Sequence, residues 1–585
     1  MNHPTPAIVG QKAVKRLPRL ALLLFCLAYV LPGFIGRVPW KSDDITSFGY
    51  MAALAQGGAA WMNPTLGGLV PEVDALLPYW LGAWSMQLAP AWVASDLAAR
   101  LPFMLLLLLS MVATWYGTYH LARSPAAQPV AFAFGGEANP TDYARAIADG
   151  AVLAFIACLG LAQLGHETTP ALAQLCFSAC FFYAAAALPY RLWMPGVSAG
   201  LALLGLTLSG APSLAAVLGL GTAALYLRVP PAPDASPFHT QQRAVGLLIM
   251  TLATALLATQ LHLWRWRIDL PQASWAEWQS LGRLFLWFTW PAWPLALWTL
   301  WRWRRQLISA RMSGMHLWLP LEFVAVASVA TLTTSAADRS LLLALPALAA
   351  LAAFALPTLG RSVGALIDWL TLIFFSGCAL VIWVVWFSLQ TGVPAQPAAN
   401  VARLAPGFEH SFSYLSFLIA VVASLAWVGL VKWRVGRHPA AIWKSLVLPA
   451  SGSALSWLLL MTLWLPLLNF ARSYEPLVRQ VTQSLPTTPG CVSMLGLSRS
   501  QMAAFEFHSH LKLETWQANT RCTWLIANLN LMPTTDGTGW PANWQLQQKL
   551  RHPAERKDSL GLYKALPTLA QAPSVTPPEK QEKSN

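Results

Sequence analysis

The chain has 585 residues, 56% of them hydrophobic and only 11% charged, against the ~25% charged expected of a soluble globular protein. That composition excludes an ordinary soluble enzyme. The 38 basic and 24 acidic residues leave a formal charge of +14, which in a soluble chain would suggest a nucleic-acid partner. Here the placement of the charges around apolar runs accounts for most of the excess, and no nucleic-acid partner is expected.

Apolar runs of about 20 residues, each long enough to cross a ~30 Å hydrocarbon core, fall at 17–36, 97–121, 146–164, 170–188, 195–209, 213–228, 244–262, 284–301, 316–335, 340–358, 365–389, 413–431 and 446–468. They predict a polytopic α-helical membrane protein with about thirteen spans. The first run follows Lys12, Lys15, Arg16 and Arg19 as a signal peptide would, but it has no Ala-x-Ala-like cleavage site and reads as a retained span. With a cytoplasmic N-terminus, eighteen of the twenty-six Lys and Arg before residue 470 fall inside, as the positive-inside rule requires. An odd number of spans then places the chain from Phe470 onward on the other side, the periplasm of a bacterial inner membrane.

Two outside segments are longer than simple connections. Gly36 to Asp96 comes directly after the first span and holds two amphipathic pieces, Ile45–Gln56 and Leu76–Leu88, suited to the membrane surface. Loops of such length are usually functional. The tail mixes a helical pattern at Tyr474–Leu485 with strand-like runs at Cys491–Leu497 and Trp524–Leu529, which predicts a small α/β unit. The expected organisation is a transmembrane domain over 1–469 that includes the loop 36–96, a periplasmic α/β domain over 470–569, and a disordered Pro-, Lys-, Glu- and Ser-rich end over 570–585.

Five of the seven cysteines, Cys26, Cys158, Cys176, Cys180 and Cys378, lie in apolar runs, where packing is the expected role. Cys491 and Cys522 lie in the tail, one opening a strand-like run and one beside the next. They are a disulfide candidate in an oxidising compartment, although two cysteines alone do not establish a bridge. No Cys-x-x-Cys pair or Cys/His spacing points to structural zinc.

Ionisable groups near a membrane are costly and tend to be functional. The first loop holds Asp43, Asp44, Glu72, Asp74 and Asp96. Adjacent carboxylates such as Asp43 and Asp44 raise one another's pKa, and either can act as a general base or bind a divalent cation. The other reading of the pair is a solvated turn with an N-cap aspartate before a helix starting near Ile45.

The loop runs Arg37-Val-Pro-Trp-Lys-Ser-Asp-Asp44, Phe48-Gly-Tyr-Met-Ala52, Gly57-Gly-Ala-Ala-Trp61, Asn63-Pro-Thr-Leu-Gly-Gly68, Leu77-Pro-Tyr-Trp-Leu-Gly-Ala83, then Ala98-Ala-Arg-Leu-Pro102. This order resembles the first periplasmic loop of the GT-C superfamily of membrane glycosyltransferases, in particular the aminoarabinose transferase and protein mannosyltransferase group. The resemblance covers residues 1–125. Beyond them it extends to the span count, the tail domain and Arg339-x6-Pro346, which resembles a later periplasmic-edge motif.

The resemblance implies a GT-C fold and transfer of a sugar from a polyprenyl-phosphate donor to a periplasmic glycolipid, such as lipid A, or to a protein. Matching the Phe48-to-Trp61 distance puts Asp44 on the family's catalytic aspartate, with Asp43 as the alternative if the register slips by one. The family's next acid falls on Ile45. Val73 and Asp74 stand where the family has Glu-Lys, and Glu72 lies one residue early, so the lysine that contacts the lipid phosphate is missing there. Arg100 matches the family arginine, Arg339 is a candidate for phosphate, and Glu72, Asp74 and Tyr79 complete the expected substrate-binding set. The alternative for Arg339 is an interfacial arginine paired with Asp338. A divalent metal is the one cofactor the resemblance allows, with Glu72 and His262 as its candidate ligands; the alternative for His262 is an interfacial histidine. A transporter or flippase, or a non-catalytic binder of lipid-linked sugars, is the competing function. Neither an internal repeat nor a mid-span cluster of acids favours transport.

Overall fold

The computed structural model describes residues 5–228, 237–264, 268, 270–271, 274–308, 314–334, 337–436, 441–487, 490–509, 511–516, 522–529, 544–555 and 559–566. The expected disordered end, 570–585, lies outside the described residues. The chain enters through α1 (Arg19–Phe34), which leads into the first-loop helices α2 (Asp43–Ala55) and α3 (Leu77–Leu88). The helical body continues through α4 (Ser95–Ala122), α5 (Pro140–Ala157), α6 (Leu159–Leu164), α7 (Pro170–Ala187), α8 (Trp193–Leu208), α9 (Pro212–Arg228), α10 (Pro237–Gln260), α11 (Trp275–Phe288) and α12 (Ala292–Arg302). It closes with α13 (Arg304–Ile308), α14 (Met315–Leu332), α15 (Ala337–Leu342), α16 (Leu345–Ala355), α17 (Arg361–Thr391), α18 (Ala395–Leu404), α19 (Tyr414–Val435), α20 (Val447–Leu463) and α21 (Leu465–Arg472).

Seven of these helices are long and apolar enough to cross a membrane, and four shorter apolar helices accompany them. The count of thirteen is not confirmed by these helices, and two of the apolar runs are broken. The run 146–164 divides at Cys158, whose backbone is extended, and the run 284–301 divides at Thr289–Pro291, where proline cannot donate a helical hydrogen bond. The two breaks meet: the Leu159 N–H donates to the Trp290 carbonyl at 3.1 Å. Gly160 allows the approach, since a Cβ there would sit 2.3 Å from the Phe288 ring. Non-helical backbone at this depth is tolerable only where protein supplies its hydrogen bonds.

Small residues let the remaining helices pack closely, since without a strong hydrophobic drive in lipid, helix contacts rely on close van der Waals fit. Every residue of the alanine-rich α16 is buried, as are fourteen of α5. Acids also occur within helices, which the loop-only reading of acids missed. Asp149 on α5 accepts from the Trp115 indole at 2.8 Å, and Glu322 on α14 accepts from Thr222 on α9 at 3.3 Å.

After α22 (Glu475–Ser484) the chain forms β1 (Cys491–Leu495), α23 (Arg499–His508), β2 (Lys512–Thr515), β3 (Trp524–Asn528), β4 (Trp544–Arg551) and β5 (Ser559–Ala565). The sheet order is β2-β1-β3-β5-β4. β1 runs parallel to β2 and β3, while β5 is antiparallel to β3 and β4. Ser498 and Gln501 close a capping box at the start of α23, satisfying backbone donors that a helix start leaves free. Cys491 and Cys522 are joined by a disulfide with Cα atoms 5.0 Å apart.

This unit lies against the first loop. Phe48 of α2 meets Phe507 of α23 edge-to-face at 4.7 Å, and Arg499 reaches both Glu72, at 2.8 Å, and the Val70 carbonyl, at 2.9 Å. Gly49 makes the contact possible, because a Cβ there would lie 2.6 Å from the Ala503 methyl. Gly49→Val is therefore expected to push α2 off α23 and to cost about 1–3 kcal/mol. Thermal unfolding of the full chain in detergent checks this; an unchanged midpoint would show that the contact is slack.

Candidate active site

The first turn of α2 begins at Asp43, so the aspartate pair sits inside the helix start and not in a solvated turn ahead of it. Consecutive helical positions point about 100° apart, and the two carboxylates accordingly have different surroundings. Asp44 turns inward and its side chain is fully enclosed, as is that of Arg37. Its Oδ2 accepts from Arg37 Nη2 at 2.6 Å and from the Trp40 N–H at 3.1 Å. Its Oδ1 accepts from the Thr168 N–H at 2.8 Å and the Thr168 hydroxyl at 2.7 Å. Burial would raise the Asp44 pKa, but the Arg37 and Arg100 charges and the Thr168 donors outweigh it and hold the carboxyl below its ordinary value.

Arg37 also stacks over the Trp40 ring at 4.6 Å. Arg100, at the head of α4, donates to the Arg37 carbonyl and to Asp96 at 3.1 Å. Behind Asp44, then, two buried guanidiniums hold the loop to the membrane helices. Nε and Nη1 of Arg37, and Nε and Nη2 of Arg100, have no hydrogen-bond partner.

Asp43 turns outward, its side chain 43% exposed. Arg339 on α15 bridges it to a second acid, with Nη1 3.0 Å from Asp43 and Nη2 3.0 Å from Glu167. Asp338 takes the Arg339 backbone N–H at 2.9 Å, so the guanidinium is free for the pair across the site. Glu167 is almost wholly buried. Burial and the neighbouring Asp44 charge push its pKa up against the pull of Arg339, Arg37 and Gln163. Gln163 ties Glu167 to Arg472, donating to Glu167 at 3.0 Å and accepting from Arg472 at 2.8 Å.

Two residues beyond Arg339, Leu341 lines an apolar cavity of about 340 Å³ between α11, α12, α14 and α16, together with Phe285, Trp293, Leu297, Leu321 and Leu348. On the other flank the tail reaches over the loop, with Lys41 Nζ 2.7 Å from Glu555.

The structure thus gathers Asp43, Asp44, Arg100 and Arg339. Tyr79 is buried against Tyr50, ring centres 5.4 Å apart, and burial pushes its hydroxyl pKa well up. Asp74 is half-buried beside the α8–α9 turn, where a Cβ on Gly210 would come within 3.3 Å of its backbone. Glu72 is exposed and paired with Arg499, and His262 is exposed just past the end of α10. Among the described residues the one group of three metal-type ligands is Cys491, Glu514 and Cys522, and its cysteines are disulfide-bonded. Among the described residues neither Glu72 nor His262 belongs to such a group.

Sequence reasoning missed Arg37, Glu167 and Thr168 as site residues. The available signal was the polar stretch His166-Glu167-Thr168-Thr169 between two apolar runs.

No family model and no curated protein matches the chain. Among solved structures, ArnT from Cupriavidus metallidurans bound to undecaprenyl phosphate superposes with a TM-score of 0.58 at 14% identity, over 95% of this chain and 99% of that one. The chain shares the fold of this ArnT structure. The apo state of the same ArnT gives a TM-score of 0.56 at 12% identity with the same coverage. An oligosaccharyltransferase from Archaeoglobus fulgidus matches at 0.43 and 12%, over 88% of this chain and 70% of that one.

A carboxylate whose pKa is lowered on folding contributes stability above its unfolded pKa and loses it as pH falls through the folded value. Asp44→Asn, which leaves Arg37 buried without a counter-charge, is therefore expected to cost about 3–5 kcal/mol at neutral pH. The gap to wild type should close as pH falls below about 4. Unfolding midpoints of both proteins across pH check this; a gap independent of pH would mean that the ion pair does not stabilise the fold.

Proposed function

We propose that the chain is a glycosyltransferase of a bacterial inner membrane, with its N-terminus cytoplasmic and its tail periplasmic. In this reading it transfers a sugar from a polyprenyl-phosphate donor to a periplasmic glycolipid or protein. The observation that carries the reading is the Arg339 bridge between Asp43 and Glu167. A polyprenyl-phosphate sugar remains in the membrane, so its phosphate needs a cation at the membrane surface and its chain an apolar groove between helices. Arg339, partly exposed, supplies the first, and the cavity past Leu341 the second. The ArnT match, solved with undecaprenyl phosphate, supports the same donor class.

In the reaction, an acceptor hydroxyl or amine attacks the anomeric carbon, the bond from that carbon to the phosphate oxygen breaks, and polyprenyl phosphate leaves with the bonding electrons. Of the two aspartates we assign the proton to Asp43. Asp44 has every acceptor position occupied by the protein, whereas Asp43, held by Arg339 and the Ser42 hydroxyl, keeps a side chain that is 43% exposed. Asp44 then acts as a positioning residue, fixing the helix start that aims Asp43. Arg339 stabilises charge that grows on the leaving phosphate, and such pre-aimed charge is commonly the largest catalytic term. Glu167 keeps the guanidinium in place.

The test is transfer of labelled sugar from polyprenyl-phosphate donors to an envelope lipid and protein extract in proteoliposomes. Wild type is expected to transfer. Arg339→Gln is expected to weaken apparent donor affinity about 10–100-fold, the range of one charge-assisted contact. An unchanged donor KM would remove Arg339 from the phosphate. Binding of polyprenyl phosphate without transfer from any donor would favour a flippase or a non-catalytic binder.

A further inference from the structure

At the far end of α4, about 30 Å along the helix from Arg100 at 1.5 Å per residue, a second cluster of cations stands away from the candidate active site. His120 lies nine-tenths buried between Tyr119, Tyr183 and Tyr190, with ring centres 5.4, 6.1 and 5.3 Å away. Arg123 sits over Tyr119 at 5.8 Å and Tyr190 at 5.2 Å. Arg191 follows Tyr190 directly in the chain, its backbone N–H donating to the Ala187 carbonyl at 3.1 Å. Arg243 of α10 donates to the Pro189 carbonyl at 3.4 Å, and its charge acts on Tyr226, which also feels Tyr190. Three arginines therefore converge on one aromatic corner where α4, α7 and α10 end.

The corner is built closely. Gly117 lets α4 press on α7, since a Cβ there would lie 2.8 Å from Phe182 and 3.3 Å from the Tyr183 backbone. The Tyr226 hydroxyl donates to the Ala185 carbonyl at 2.5 Å.

Among the described residues no carboxylate pairs with Arg123, Arg191 or Arg243. This contrasts with the opposite membrane face, where Arg37, Arg100 and Arg339 each have an acid. Among the described residues, Nδ1 of His120 and Nε of Arg243 are buried without a hydrogen-bond partner. Like charges crowded at a membrane edge are costly unless an anion lies among them. Immediately beside Arg191, Leu192, Trp193 and Met194 are 57%, 82% and 63% exposed. Such a run suits acyl chains and not water. A cationic corner continuous with an exposed apolar strip matches an anion that carries its own hydrocarbon.

We propose that Arg123, Arg191 and Arg243, walled by Tyr119 and Tyr190, form a binding site for the phosphate headgroup of an anionic phospholipid in the leaflet opposite the candidate active site. The guanidiniums take the phosphate oxygens bidentately, the aromatic rings hold Arg123 in place, and the Leu192–Met194 strip receives the acyl chains.

The test is lipid binding to the delipidated full chain in neutral detergent, read by native mass spectrometry, with cardiolipin, phosphatidylglycerol and phosphatidylcholine as probes and inorganic phosphate as competitor. Cardiolipin and phosphatidylglycerol are expected to bind over phosphatidylcholine, with binding falling as salt rises. Arg123→Gln with Arg191→Gln is expected to weaken cardiolipin about 30-fold, from roughly fivefold per surface arginine. Arg123→Lys with Arg191→Lys, which keeps the charge, should bind more tightly than the glutamine pair and stands in if that pair does not fold. Equal binding of phosphatidylcholine, or no loss in the glutamine pair, would overturn the proposal. Competition by inorganic phosphate as effective as by the lipid would reassign the site to a soluble phosphate.

Discussion

The buried pair between Asp44 and Arg37 is the constraint on which the site depends. Each ion alone would be very costly in this enclosed position, and together they are tolerable because every oxygen of Asp44 is hydrogen-bonded. The partners come from two places, the segment between α1 and α2 that holds Arg37 and Trp40, and the connection between α6 and α7 that holds Thr168. Arg100 adds α4 by donating to the Arg37 carbonyl. One carboxylate thus sets where the first loop sits on the helical body.

That anchor divides the labour between two neighbours in sequence. With Asp44 turned in, Asp43 must turn out, because the helix gives it no other direction. It then meets Arg339 from α15, an element nearly three hundred residues away in sequence, and through Arg339 the buried Glu167. The C-terminal sheet unit completes the surroundings by packing α23 on α2 and extending Arg499 and Glu555 to the loop. The candidate site is consequently a junction of the first loop, the α6–α7 connection, α15 and the tail.

Much of this was legible in the sequence, and the reasons for the exceptions are physical. Long apolar runs mark helices because the bilayer imposes both length and composition, and the runs at 97–121 and 365–389 return as α4 and α17. The breaks at Cys158 and Pro291 were not legible as a pair. Each is tolerable only because the other supplies a backbone partner, and nothing local announces that. The aspartate pair stood out by residue type, but the choice between Asp43 and Asp44 depends on which side of α2 faces the body, a tertiary fact. Glu167 went unnoticed because its role depends on Arg339, far along the chain. In the tail, β1 and β3 read as apolar runs, whereas β4, Trp544-Gln-Leu-Gln-Gln-Lys-Leu-Arg551, is exposed along most of its length and forms no continuous apolar run.

The two aspartates thus differ in kind in the proposed reaction: Asp43 reacts and Asp44 holds. The most direct measurement compares Asp43→Asn with Asp44→Asn for polyprenyl-phosphate binding and for single-turnover sugar transfer in proteoliposomes. Asp43→Asn is expected to bind donor close to wild type and to transfer about 10²-fold or more slowly, the usual contribution of a general base. Asp44→Asn is expected to lose donor binding together with the order of the loop. An Asp44→Asn protein that folds and binds donor normally but does not transfer, beside an Asp43→Asn protein that transfers at the wild-type rate, would contradict this division and give the proton to Asp44.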